Sequence, residues 1–234
     1  MIEFLYTLAV THITIICVTL YLHRGQAHRG IQFNIVISHA MRLWLWLTTG
    51  MNTKAWVAIH RKHHRFCEQK QDPHSPHVFG ILTVVFGGAF LYARAAKDRE
   101  TLSVYGVGTP NDWIERYVYT PYTWLGVVIM LAINLFLFGY WGLAIWLVQM
   151  IWIPFWAAGV VNGIGHYWGY RNGDTKDRSK NIFPIGIIIG GEELHNNHHL
   201  NPSSIKLSNK WWEFDIGWMW LSMLRFCKLA KITR

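Results

Sequence analysis

The chain has 234 residues, room for one domain or perhaps two, of which 52% are hydrophobic and only 15% charged. That charge content is far below the roughly 25% of soluble domains, and 14 tryptophans point to the lipid interface where Trp and Tyr collect. The net charge of +9 does not read as a nucleic-acid footprint, because every Lys and Arg falls within 24–116 or 171–234 and long apolar stretches separate the blocks.

In chain order, residues 4–22 (FLYTLAVTHITIICVTLYL) match the roughly 20 apolar residues that span a bilayer. A cleaved leader is not expected there, since no basic region precedes the apolar core and no small-residue cleavage site follows it. Residues 35–51 are apolar but carry His39 and Arg42, which predicts an interfacial helix. Residues 120–161 hold no charge of either sign and are long enough for a hairpin of two spans, 120–138 and 141–161, turning near FGYWG and kinked at Pro154. The expectation is an all-α integral membrane protein with about three spans, interfacial helices and a histidine-rich cap, all in a single domain over 1–234. Three spans put 23–119 and 162–234 on one side, and the positive-inside rule makes that side the cytoplasm.

The histidines gather on that side. Of 13, nine fall in four clusters: His23 and His28; His60, His63 and His64; His166, four residues after Asn162; and His195, His198 and His199. Two clusters have i, i+3, i+4 spacing, which aligns three rings on one helical face. His23 and His28 are five apart, so they converge only where the helix ends or loosens, with Gly25 as the expected weak point. Neutral imidazole is a ligand for borderline transition metals. Nine of them with the Asn162 amide exceed one ion's needs and suit two ions with open positions. None of the clusters contains sulfur, and Cys17, Cys67 and Cys227 form no CxxC pair, so a cysteine-ligated zinc site is not expected. His12 and His39 read as core or interface residues, His74 and His77 as loop residues, and Arg61, Lys62 and Arg65 as facing solvent or headgroups.

HRGQAH, HRKHH and HNNHH resemble the three histidine boxes of the membrane fatty-acyl desaturases, and NGIGH resembles the added Asn and His of their delta-9 branch. WLTTGMNTKAWVAIHRKHH, EQKQDPHSPH, GGEELHNNHH and EFDIGW extend the likeness to bacterial members over nearly the whole chain. The resemblance implies a di-iron enzyme using O2 and two electrons to introduce a cis double bond, at delta-9, into a fatty-acyl chain. It implies iron ligation by His23, His28, His60, His63, His64, His166, His195, His198 and His199, with Asn162 reaching an iron through water. Zinc is an expected adventitious occupant. Glu192 and Glu193 are candidates to hold imidazole N–H groups, and aromatic residues of 44–56 and 152–170 to wall the acyl tunnel.

The chain departs from the family pattern in three ways. Family members usually have four spans, but only 22 residues precede His23, leaving room for one. Ala58 and Ile59 stand where users of acyl-CoA tend to carry an Arg-Asp pair, which favours an acyl chain on phospholipid over acyl-CoA. No HPGG haem signature is present and GVG at 106–108 lacks a βαβ context, so the expected electron donor is a separate ferredoxin, rubredoxin or cytochrome with its reductase. The expected location is the bacterial inner membrane. A hydroxylase on the same metal scaffold is the alternative enzyme; a haem carrier or transporter lacks the paired intramembrane groups it would need.

Overall fold

The computed structural model describes residues 1–233. Its first helix, α1 (Ile2–Ala27), is apolar and 26 residues long, enough to cross a membrane. It is an ordinary α-helix to Cys17 and then widens into a π-helix over Val18–Ala27. The His28 amide donates to the His23 carbonyl at 3.0 Å, five residues back. Residues five apart stack along a π-helix. The loosening expected near Gly25 is therefore a change of winding, and it brings the rings of His23 and His28 to 4.8 Å between centroids.

A short strand, β1 (Ile31–Phe33), leads into α2 (Ile35–Thr49), which Asn34 caps by accepting from the Val36 amide. α2 packs on α1, and its Arg42 is buried in an ion pair with Asp112 and Glu115. α3 (Thr53–Phe66) carries the second histidine cluster; Asn52 caps it from the Ala55 amide. After a short α4 (Pro76–Phe79) comes α5 (Ile81–Ala95), then α6 (Arg99–Tyr105), which lies on α3. α5 is a correction to the sequence reading, which left 81–95 as undivided cap: it is an apolar helix packed along residues 154–161.

A helical hairpin occupies the charge-free stretch 120–161. α7 (Thr123–Phe138) and α8 (Trp141–His166) are joined through Gly139, whose positive φ of 55° suits glycine. Inside it, the Tyr6 hydroxyl donates to Asn134 at 2.9 Å and the Asn134 amide to Gln149 at 3.0 Å, binding α1, α7 and α8 where water is excluded. α8 also qualifies by length and apolarity as a span, whereas α7 is shorter. At Pro154, which has no N–H to give, α8 widens into a second π segment, Pro154–Val161, and closes in a 3-10 turn, Ile164–His166.

The remainder is irregular around α9 (His195–Leu200) and α10 (Ile216–Phe226). The fold is mostly helical, with two small strand pairs. β2 (Ile185–Gly186) runs parallel to β3 (Phe214–Asp215), and β1 pairs antiparallel with β4 (Ala230–Ile232), Ile31 facing Ile232. The core gathers around the second half of α1, where Ile15, Leu20, Tyr21 and Leu22 are fully buried. α1 and α8 thus both end, C-terminus first, in the same histidine-rich region, and helix C-termini favour bound cations.

Candidate metal centre

All nine histidines of the four clusters meet, in two adjoining groups. The first joins His23 and His28 from α1, His60 and His64 from α3, and His198 from α9, their donor atoms all within 4.8 Å of one another. The Nε2 of His198 lies 3.0 Å from that of His23 and 2.9 Å from that of His64, and His28 and His60 meet at 2.9 Å. The second group holds His63, His166 and His199, with His195 joined to His166 at 2.9 Å between Nε2 atoms. The rings of His64 and His199 stack at 4.5 Å and connect the two.

Carboxylates fix which nitrogen faces inward. His23 donates from Nδ1 to Glu192 at 2.7 Å, His63 to Asp72 at 3.0 Å and His199 to Asp177 at 2.9 Å. A ring that gives its Nδ1 proton to a carboxylate keeps a lone pair on Nε2. His166 meets Glu68 through Nδ1 at 3.3 Å. Burial, reinforced by neighbouring imidazoles, holds His60, His64, His195 and His198 well below the ordinary histidine value and pushes His199 down to about 3. Burial alone would raise Asp72 and Asp177, but the adjacent His63 and His199 hold both carboxyls below their usual range. Those five rings are held neutral, and the carboxylate-bound rings of His23, His63 and His199 turn Nε2 inward.

That donor set fits metal ions. Two ligands bonded at about 2.1 Å and at right angles on one ion lie about 3.0 Å apart, which is the spacing of the Nε2 pairs. The Nδ1 atoms of His195 and His198 and the Nε2 of His199 are buried with no hydrogen-bond partner among the described residues. Unpaired buried polar atoms cost about 1–3 kcal/mol each, and for His199 a bound cation removes that cost directly.

Other expectations divide. Asn162 donates to the Ala158 carbonyl at 3.2 Å and lines the same cavity as His23, His60 and His195. Glu192 does hold an imidazole, but Glu193 turns away, accepting from the amides of Ile189 and Gly191, and burial raises its carboxyl to about 7. Asp72, Asp177 and Glu68 do what Glu193 was expected to do; Asp72 could have been suspected from its place in DPHSPH, and the others carry no signal of spacing. His74 lies in a bend, as a loop residue should, but is buried against His63, whereas His77 falls in α4 and its Nε2 donates to the His166 carbonyl at 2.9 Å. Arg61 is half-buried rather than turned wholly to solvent: it donates to the carbonyls of Gln26, Ala27, Tyr105 and Val107, clamping the end of α1. Lys62 pairs with Asp98. Trp220 gives His12 its intramembrane partner at 2.9 Å.

Arg24, inside the first cluster, was not anticipated at all. It is fully buried and forms a two-pronged ion pair with Asp215 at 2.9 and 3.0 Å. It also donates to the carbonyls of Gly190 and Ile205, which fastens the segment leading to Glu192 onto α1.

Two hollows reach the centre. A largely apolar cavity of about 240 Å³ touches His23, His60 and His195 and is walled by Trp56, Tyr92 and the π segment of α8. Gly88 lets α5 form its far wall: a Cβ there would meet the Ala158 carbonyl oxygen at 2.6 Å. Of the aromatic candidates, Trp56 lines the cavity; Tyr92 lies outside both expected ranges. A more polar cleft of about 540 Å³, lined by Asp174, Thr175, Lys176 and Asp177, touches His28, His64 and His199.

Converging imidazoles at the ends of apolar helices, beside a largely apolar cavity, suit a membrane protein with a metal site. A family model described as fatty acid desaturase matches residues 2–222. The chain belongs to the fatty acid desaturase family and is by family an oxidoreductase of the fatty-acyl desaturase class. It is 26% identical over 224 residues to delta-9 acyl-lipid desaturase 2 of Arabidopsis thaliana, covering 92% of this chain and 68% of that one. With the sn-1 stearoyl-lipid 9-desaturase of Anabaena variabilis it shares 29% over 217 residues, 91% of this chain and 76% of that one. With the chloroplastic palmitoyl-monogalactosyldiacylglycerol delta-7 desaturase of Arabidopsis thaliana it shares 28% over 220 residues, 91% of this chain and 57% of that one.

Proposed function

We propose that this chain is a dinuclear iron desaturase that removes two hydrogens from an acyl chain carried on a membrane glycerolipid. The observation that carries this reading is the contact of the imidazole cage with the apolar cavity at His23, His60 and His195. His23, His28, His60, His64 and His198 would hold one ion and His63, His166, His195 and His199 the other, with Asn162 near enough to act through water. The bound pair would supply, with O2, an oxidant strong enough to take hydrogen from an unactivated methylene, which no acid–base pair in the cavity can do. Overall, O2 becomes two waters by accepting the two substrate hydrogens, two electrons and two protons.

The protein's own part is positioning. Glu192, Asp72 and Asp177 keep three rings oriented with their lone pairs inward, and the cavity's apolar wall excludes water and aligns the chain by shape. Ala58 and Ile59, with the names of the acyl-lipid and stearoyl-lipid relatives, favour a lipid ester over acyl-CoA. The double bond is assigned to carbon 9, in line with two of those names. α1, α7 and α8 act as three spans in a single domain, with the cationic, histidine-bearing side in the cytoplasm of a bacterial inner membrane. A separate ferredoxin, rubredoxin or cytochrome supplies electrons.

Lipid profiling of cells expressing the chain or its His198→Ala variant tests this. New unsaturation at one carbon should appear with the former and vanish with the latter. A product heavier by one oxygen would mean a hydroxylase instead, and unsaturation independent of His198 would end the metal-centre reading.

A further inference from the structure

Cys67 was set aside as a thiol outside any metal site, but the fold brings it to the second imidazole group. It is four residues after His63, on the same face of α3 at the helix end. Its Sγ lies 3.9 Å from the His63 Nε2, the atom left with a lone pair once Nδ1 donates to Asp72. The backbone then reverses at Glu68, whose φ of 63° is uncommon for a residue with a side chain. That turn is fixed by the Glu68 amide donating to Asp72 at 2.8 Å and by the Glu68 carboxylate accepting from the Arg178 amide at 2.7 Å. It stops Cys67 from following the helix outward.

A second observation points to a ligand at the same spot. The His199 side chain is only 2% exposed, its Nδ1 is committed to Asp177, and its Nε2 has no hydrogen-bond partner among the described residues. The donor atoms of His63, Cys67, His166 and His199 all lie within 4.8 Å of one another. The 3.9 Å separation suits shared coordination. Bonds of about 2.1 Å from nitrogen and 2.3 Å from sulfur put the two donors about 3.6 Å apart at a tetrahedral angle and about 4.4 Å apart when opposed.

We propose that Cys67 is a sulfur ligand to the ion held by His63, His166, His195 and His199, so that the two halves of the centre differ in softness. The proposal rests on the dinuclear reading above. The metal–sulfur bond forms as the thiol proton leaves to solvent, with no change of oxidation state. A thiolate donor shifts that half-site toward softer cations, while the all-imidazole half keeps its preference for borderline ones.

The test is spectroscopic and needs no turnover. The purified full chain, stripped of metal, is titrated with Co2+ and compared with Cys67→Ser and with the double variant Cys17→Ser/Cys227→Ser. Expected are two Co2+ per chain and a thiolate-to-cobalt charge-transfer absorption that persists in the double variant and is lost in Cys67→Ser. Affinity for Cd2+ at one site should fall at least about tenfold in Cys67→Ser, while that for Mn2+ changes less than about twofold. X-ray absorption on the unmutated cobalt protein should find sulfur at about 2.3 Å from half the ions, which covers the case in which Cys67→Ser does not fold. Two bound ions with no sulfur in either measurement, or a charge-transfer band that survives Cys67→Ser, would overturn the role of Cys67 and leave the dinuclear centre standing. Fewer than two ions in the unmutated chain would remove the dinuclear reading and this proposal together.

Discussion

Replacing Asp215 with alanine tests how the histidine cap is held to α1. The Asp215 carboxylate is fully buried and accepts both prongs of Arg24, the Leu207 amide at 2.8 Å and the Trp218 amide at 2.9 Å. Removing one partner of a buried ion pair costs about 3–5 kcal/mol because the other charge stays buried and unpaired. The lost cap on α10 adds about 1 kcal/mol. A total near 4–6 kcal/mol corresponds to a fall of roughly 10–20 °C in Tm for a chain of this size. Circular dichroism melts of the detergent-solubilised protein measure it. Arg24 also tethers Gly190, so the variant should lose metal affinity as Glu192 drifts from His23. Arg24→Ala removes the same bond, so the double variant should cost about 1–3 kcal/mol less than the sum of the two. An Asp215→Ala protein within about 1 kcal/mol of the parent, or strict additivity in the double variant, would refute the claim that this pair joins cap to helix.

Three further outcomes are expected. Glu192→Gln should weaken metal binding about 10–100-fold without unfolding the chain, as read by calorimetric titration with Co2+; unchanged affinity would mean that Glu192 does not orient His23. The folded pKa values of His60, His64, His195, His198 and His199 are depressed, so the folded state binds fewer protons than the unfolded one. The metal-free protein should therefore be most stable above about pH 6.5 and lose stability as pH falls through that value, and a flat melting profile between pH 7 and 5 would contradict the buried neutral cage. Gly88→Val should force α5 away from Ala158, costing about 1–3 kcal/mol in thermal melts and reducing unsaturated lipid, and a normal melt with normal product would show that the close approach at Gly88 is not needed.

How much of this could be read from residues alone follows from what kind of signal each feature leaves. The histidine clusters were legible because metal ligands must share a face, and spacings of three and four state that directly. The five-residue gap between His23 and His28 was readable as a demand for different winding, although not for a π-helix ten residues long. α5 was missed because a helix of 15 residues is too short for a span and its partner is decided by Gly88 against Ala158, a tertiary fact. Asp177 lies 22 residues from His199 and Glu68 lies 98 from His166, so nothing local connects them. Arg61 looked like a surface cation, and Arg24 drew no expectation, because charge in a sequence says nothing of burial; only the carboxylate and carbonyls they meet reveal them as struts.

The two openings onto the cage carry a kinetic consequence. If the lipid tail enters on the Trp56 side while electrons, protons and water pass by the Thr175 side, neither visitor must leave before the other arrives. Turnover would then run through a ternary assembly, with initial-rate lines that intersect instead of running parallel, and a seated tail would shield the ions from idle consumption of oxygen.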